Sequence, residues 1–253
     1  KGEAYLESIE QFASECAIMK VHGSEVLDYV VDEGVQIYGG MGYSAEAPME
    51  RSYRDARINR IYEGTNEINR MVIVDIILKR AMNGDIDFMS AAMNVAKELM
   101  SIPNANVDSK PLFSSEKQYV KNYKKAVLMV LGSAAKQLGQ GLKEEQEILM
   151  NIADMVIEAY VCESVLLRVE KLSAIRGMDA CATQIAIMRS YIYNAADKIN
   201  KVGKDALNSF AQGDELRVML MGIKRYTKHE PYNVKNARRA IADRLIGEGK
   251  YCV

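Results

Sequence analysis

From residue 148 onward, apolar side chains recur in alternating steps of four and three: Ile148, Ile152, Met155, Ala159, Cys162, Leu166 and Val169. That spacing puts them on one stripe of a helix and is the seam of an antiparallel bundle. Ile185, Met188, Ile192, Ala195, Ile199 and Val202 repeat it within 179–207. A third stripe, Val120, Tyr123, Val127, Leu131, Ala134 and Leu138, runs through 115–142. Three long stripes must bury one another, so the fold class is all-α. No period-two strand pattern of any length competes.

The N-terminal third reads as helical too. Residues 3–38 suit one long helix carried by Leu6, Ile9, Ala13, Ala17, Val21, Val26, Tyr29 and Val30. Gly39-Gly40-Met41-Gly42 must end it, with three glycines in four positions. Pro48 then opens a short helix over about 49–55, in the first turn where proline is tolerated. Residues 56–62 connect, and Thr65 is a good N-cap for a helix over 66–82 with Ile68, Val72 and Ile76 inward. Asn83-Gly84 closes this part. Helices over 86–101, 143–176, 214–226 and 234–247, with a linker at 103–111, complete the chain. The expected architecture is two helical bundles, residues 1–84 and 85–253.

Charge and composition exclude several functions. Thirty-three Lys+Arg stand against 34 Asp+Glu, which argues against a dedicated nucleic-acid binder. Four cysteines without a CxxC pair and two distant histidines make a metal site improbable and suggest a reducing compartment. There is neither an apolar run of about 18 residues nor a secretory leader pattern, so a cytoplasmic location is expected. Residues 215–253 hold nine Lys or Arg against four acids. A solvated helix face accounts for that surplus, and weak contact with a membrane surface or a partner is the other possibility. Helical pattern starts immediately after Lys1, and the chain is expected to be part of a longer polypeptide.

The chemistry concentrates in residues 36–70. Glu63 precedes a glycine and a helix cap, so Gly64 can turn the backbone and let the carboxylate project from a loop. The helix beginning after Thr65 offers unpaired N–H groups and a positive dipole end, suited to an anion or a carbonyl oxygen. A carboxylate beside such donors can act as a general base. On spacing alone an ordinary charged residue near a helix start is the better reading. Gln36-Ile37-Tyr38-Gly39-Gly40 exposes main-chain amides after a helix. It is no dinucleotide fingerprint, which needs a strand before it and a helix after it, and by itself it is a helix-terminating glycine pair.

Together, in order and at this separation, these motifs resemble the C-terminal domain of the flavin-dependent acyl-CoA dehydrogenases. In that family a helix ends in a Q-x-x-GG-x-G loop, an acidic and arginine-rich segment follows, and Y/F-E-G-T precedes the next helix. Here these are Gln36, Gly39, Gly40 and Gly42, then Glu50-Arg51, Arg54-Asp55 and Arg57, then Tyr62-Glu63-Gly64-Thr65. The resemblance covers about residues 3–82. The helices beyond residue 84 are similar, in length and architecture, to the C-terminal extension of the very-long-chain subgroup.

The resemblance implies roles. Glu63 would be the base that removes the α-proton of an acyl-CoA thioester, while the β-hydrogen leaves as hydride to FAD and a trans-2-enoyl-CoA forms. The Glu63 main-chain N–H would bind the thioester carbonyl, Tyr62 would flank the thioester and Gly64 would touch substrate. Thr65, Asn66 and Glu67 match positions that contact FAD. Gln36, Ile37, Tyr38, Gly39 and Gly40 match the segment reaching FAD held mainly by the other subunit, which implies a homodimer. The charged residues from Glu50 to Arg60 read as structural ion pairs. An electron-transferring flavoprotein is the implied acceptor and fatty acid β-oxidation the implied setting. The family's N-terminal and β-domains have no counterpart in these residues, so the chain alone is expected to bind FAD weakly or not at all and not to turn over. Two alternatives remain at this level: an acyl-CoA oxidase of the same fold, and a non-catalytic helical interaction module.

Overall fold

The computed structural model describes residues 2–99, 101 and 112–253. Among them are ten α-helices joined by turns, four of them 3-10 turns, and no strand. The all-α bundle architecture expected from the apolar stripes is the one observed. The chain divides into two compact units, Lys1–Ile86 and Asp87–Val253. The linker predicted at 103–111 lies outside the described residues.

The first unit holds α1 (Gly2–Gln11), α2 (Ala13–Tyr38), α3 (Pro48–Arg57) and α4 (Asn66–Asn83). The long helix expected over 3–38 is interrupted at Phe12, and α1 meets α2 there. Arg80 of α4 donates to the Glu10 carbonyl at 3.0 Å, satisfying a carbonyl that the end of α1 leaves unpaired. The α4 start lies beside Lys20 and Ser24 while its end lies beside Glu10, so α2 and α4 run antiparallel. Ala17, Ile18, Val21 and Val31 of α2 are buried, as are Ala56 of α3 and Ile73 and Val74 of α4.

The predicted inward face of α4 is corrected here. Ile68 and Val72 are exposed, and the face turned to α2 carries Asn66, Arg70 and Ile73. Leu6, Ile9, Val26, Tyr29 and Val30 are exposed as well. A helical period identifies an apolar stripe but not which of two stripes a neighbour covers. The glycine stop behaves as expected. A tight turn, Gly39–Tyr43, follows α2, and a Cβ on the buried Gly42 would sit 2.5 Å from the Val35 carbonyl oxygen.

The second unit holds α5 (Phe88–Leu99), α6 (Ser114–Leu138), α7 (Gln146–Arg176), α8 (Ala182–Phe210), α9 (Gly213–Tyr226) and α10 (Val234–Glu248). Helices α6, α7 and α8 pack on one another, α5 packs on α6, and α9 packs on α6 and α8. All seven residues of the 148–169 stripe are buried. Glu158 of α7 is buried with them and bonds Tyr191 and Lys198 of α8. Helix α10 packs on α8 without burying any residue, and it displays Lys235, Arg238, Arg239 and Arg244 to solvent. No helix among the described residues is long and apolar enough to cross a membrane. None of the described residues form a group of three or more His, Cys, Asp or Glu fit to hold a metal ion.

Candidate functional site

The chain leaves α3 through a 3-10 turn, Ile58–Arg60, and Tyr62 is fixed to it by a bond from its hydroxyl to Asn59 Oδ1 at 2.8 Å. Two successive residues then take left-handed backbone, Glu63 with φ 55° and Gly64 with φ 77°. Glycine enters that region freely, but a glutamate there is uncommon and held by its surroundings. The turn swings the Glu63 side chain out of the α3 path and leaves it exposed. Among the described residues the Glu63 main-chain N–H meets no acceptor. The loop thus exposes a carboxylate and leaves the main-chain donor of the same residue without a bonded partner among the described residues.

Thr65 ends the turn as the N-cap of α4, its hydroxyl oxygen accepting from the Ile68 N–H at 3.3 Å. Glu67 takes up its own main-chain N–H and, next in weight, the Thr65 hydroxyl, and these bonds hold its carboxyl below the usual range. Asn66 is turned inward. Its amide nitrogen donates to Ser24 Oγ at 2.9 Å and to Glu25 Oε1 at 3.3 Å, and its Oδ1 accepts from Lys20 Nζ at 2.7 Å. Glu25 is in turn paired with Arg70 at 2.7 Å.

Lys20 and Asn69 are the residues that the sequence motifs did not single out. Lys20 Nζ donates to the Gly64 carbonyl at 2.6 Å, and Asn69 Nδ2 donates to the same oxygen at 2.8 Å. A signal existed: Lys20 and Ser24 stand one helical turn apart, polar residues beside the buried Ala17 and Val21. The charged stretch after Pro48 contributes Arg54–Glu50 at 2.8 Å along α3 and Arg60–Asp28 at 3.1 Å to α2.

Gln36, Ile37, Tyr38, Gly39 and Gly40 form the other end of α2 and are all exposed. Gly39 turns at φ 61°, and a Cβ on Gly39 or Gly40 would meet nothing within 4 Å, so bare backbone faces open space. Asn66 docks at Ser24, twelve residues earlier. At 1.5 Å rise per residue the two motifs stand about 18 Å apart along α2. The structure brings Tyr62 to Glu67 together, and it does not bring Gln36 to Gly40 to them.

Two family models, both described as acyl-CoA dehydrogenase C-terminal domain, match residues 4–78 and 122–225. A probable acyl-CoA dehydrogenase of Bacillus subtilis (strain 168) is 40% identical over 252 residues, covering all of this chain and 42% of that protein. The very long-chain specific acyl-CoA dehydrogenase of Rattus norvegicus mitochondria is 35% identical over 132 residues, 52% of this chain and 16% of that protein. A crystal structure of acyl-CoA dehydrogenase complexed with FAD from Bacillus anthracis superposes with a TM-score of 0.94 at 42% identity, over all of this chain and 43% of that one. The chain thus spans about two fifths of the length of the relatives that match it throughout.

Proposed function

Since this chain belongs to the acyl-CoA dehydrogenase family, we propose that it carries the proton-abstracting part of an FAD-dependent α,β-dehydrogenation of acyl-CoA thioesters, with Glu63 as the base. The observation that carries this reading is the left-handed turn at Glu63, with its exposed carboxylate, its unbonded N–H and a capped helix start behind it.

In this reading the thioester carbonyl accepts from the Glu63 N–H, a donor already fixed before charge develops on that oxygen. The carboxylate takes the α-proton, and the electron pair of the broken C–H bond becomes the second bond between Cα and Cβ. Covering the loop with an acyl chain would remove water from around the carboxylate. Tyr62, held by Asn59, flanks the thioester, and Gly64 leaves room for it. Bound FAD would supply the two-electron acceptor for the hydrogen leaving Cβ.

The residues present fit part of a flavin site. Gly39 and Gly40 offer backbone that no side chain shields. Thr65, Glu67 and the first-turn N–H of Asn66 offer polar groups at the positive end of α4. Asn66 would contribute through its main chain, its side chain being committed to α2. With the two groups about 18 Å apart along α2, we read them as serving two cofactors in a homodimer. An electron-transferring flavoprotein would reoxidise the enzyme within fatty acid β-oxidation, and the basic face of α10 would make at most a weak surface contact.

The test uses the complete polypeptide with FAD bound. Glu63→Gln keeps shape and removes basicity, so anaerobic bleaching of flavin by acyl-CoA should slow by about 10²–10⁴-fold while FAD stays bound. Bleaching at the parent rate would end the assignment.

A further inference from the structure

Two side-chain donors hold the Gly64 carbonyl. Lys20 Nζ reaches it at 2.6 Å and Asn69 Nδ2 at 2.8 Å, and Asn69 also donates to the Thr65 carbonyl at 3.0 Å. This carbonyl belongs to the second of the two left-handed residues, directly after Glu63. Left alone, a turn that contains a non-glycine residue with positive φ relaxes toward commoner conformations. Here two donors from two different helices pin its oxygen, and one of them carries a charge, which makes its bond the stronger kind.

The pin is itself braced. Lys20 is kept in place by Asn66 Oδ1 at 2.7 Å, and the Asn66 amide is oriented by Ser24 and Glu25, with Glu25 paired to Arg70. Asn66 and Ser24 are buried, so the brace is sealed into the α2–α4 interface. Lys20 donates to two neutral oxygens, the Gly64 carbonyl and Asn66 Oδ1. A lysine serving only as a surface ion pair would be placed otherwise.

We propose that Lys20 and Asn69 are positioning residues for Glu63. By holding the Gly64 carbonyl they set the direction of the Glu63 carboxylate and N–H, without touching substrate. The proposal rests on the reading of Glu63 as the base and adds to it the groups that hold the loop.

The experiment compares Lys20→Met, Lys20→Arg and Asn69→Ser in the complete FAD-loaded enzyme, with Glu63→Gln alongside. Two readouts are taken: amide hydrogen exchange across residues 62–69, and kcat and KM for an acyl-CoA. Lys20→Met and Asn69→Ser should each speed exchange at least tenfold, and each should lower kcat by about 10–100-fold with KM moved less than threefold. Lys20→Arg, which can still donate to both oxygens, should recover most of the loss. Unchanged exchange in both Lys20→Met and Asn69→Ser would overturn the clamp. Faster exchange with unchanged kcat would overturn positioning for catalysis, and Glu63→Gln separates the causes: if it too turns over normally, the base assignment has failed; if it is dead, the positioning claim alone has failed. Should Lys20→Met not fold, Asn69→Ser gives both readouts by itself.

Discussion

Asn66 donates its side-chain amide to the Ser24 hydroxyl at 2.9 Å across the buried face of α2 and α4. The same amide oxygen takes the Lys20 ammonium. Replacing Asn66 by alanine would remove both bonds and the one to Glu25, leaving the Ser24 hydroxyl its bond to the Val21 carbonyl and the Lys20 ammonium its bond to the Gly64 carbonyl. The expected cost is about 1–3 kcal/mol, the loss of a buried amide's hydrogen bonds, one of them to a charged group. Denaturant unfolding of Asn66→Ala against the parent checks it. A midpoint unchanged by the substitution would show that the interface does not depend on this amide.

Acid should loosen the first turn of α4. Glu67 accepts its own N–H and the Thr65 hydroxyl, so its carboxyl lies below the ordinary glutamate range in the folded chain. A depressed folded pKa contributes stability above the unfolded value, and that contribution is lost as pH falls through the folded one. On acidification Glu67 should therefore keep its charge below the pH of about 4.3 at which an unperturbed glutamate takes up a proton. A carboxyl-detected NMR titration of Glu67 should show this, and Thr65→Ala should move it back upward. Glu67 titrating at the unperturbed value in the parent chain would contradict the two bonds. Thr65→Ala should also cost about 1 kcal/mol through loss of the cap itself.

The second unit was legible because its helices are covered on the sides that their patterns mark. Ile148, Met155, Cys162 and Leu166 fall on one stripe, and α6 and α8 both need it, so periodicity and burial coincide. In α4 the same rule pointed to Ile68 and Val72, which are exposed, because that helix has apolar residues on two faces and only one lies on α2. Thr65 was legible for a local reason: an N-cap depends on its own next three residues. Lys20 was not, since its bond to Gly64 spans 44 residues and exists only once α2 and α4 dock. Glu158 was within reach, an acid at position 158 between the buried Met155 and Cys162, but the stripe was read for its apolar members alone. The second unit held no motif either.

Thiol accessibility should sort the four cysteines by place in the fold. Cys16 is exposed on α2, while Cys162 and Cys181 are buried in the second unit. Burial, with Glu158 nearby, pushes the Cys162 thiol far above its usual range, so almost none of it is thiolate at neutral pH. A chromogenic disulfide reagent should label Cys16 quickly in native protein and leave Cys162 and Cys181 untouched until denaturant is added. Peptide mapping gives the order, and early labelling of Cys162 would mean that α7 and α8 open under native conditions.

Tyr123 donates its hydroxyl to the Ile192 carbonyl at 2.8 Å and has no exposed surface. Burial pushes this phenol well above the ordinary tyrosine range, so it should stay protonated in alkali until the bundle opens. Tyr123→Phe removes the donor but keeps the ring. Because the Ile192 carbonyl retains its place in the helical ladder of α8, the loss should be about 1 kcal/mol and no more. A loss several times larger would mean that the bond sets the α6–α8 register rather than only adding to it.

The Glu158–Lys198 pair is unequal, and its two halves should respond differently to removal. The Glu158 side chain is 8% exposed, whereas that of Lys198 is 43% exposed, and the two meet at 2.7 Å. Lys198→Met would leave a carboxylate inside the bundle with Tyr191 as its remaining bonded partner of the two. Such a group keeps most of the cost of its desolvation, and about 3 kcal/mol is expected. Glu158→Gln leaves an acceptor for Tyr191 and an ammonium that can extend its stem into water, so about 1 kcal/mol is expected there. Thermal unfolding of the two variants against the parent tests the asymmetry, and the Lys198→Met deficit should be the larger. Equal deficits would show that water reaches Glu158 and that the carboxylate is not confined as the helix packing places it.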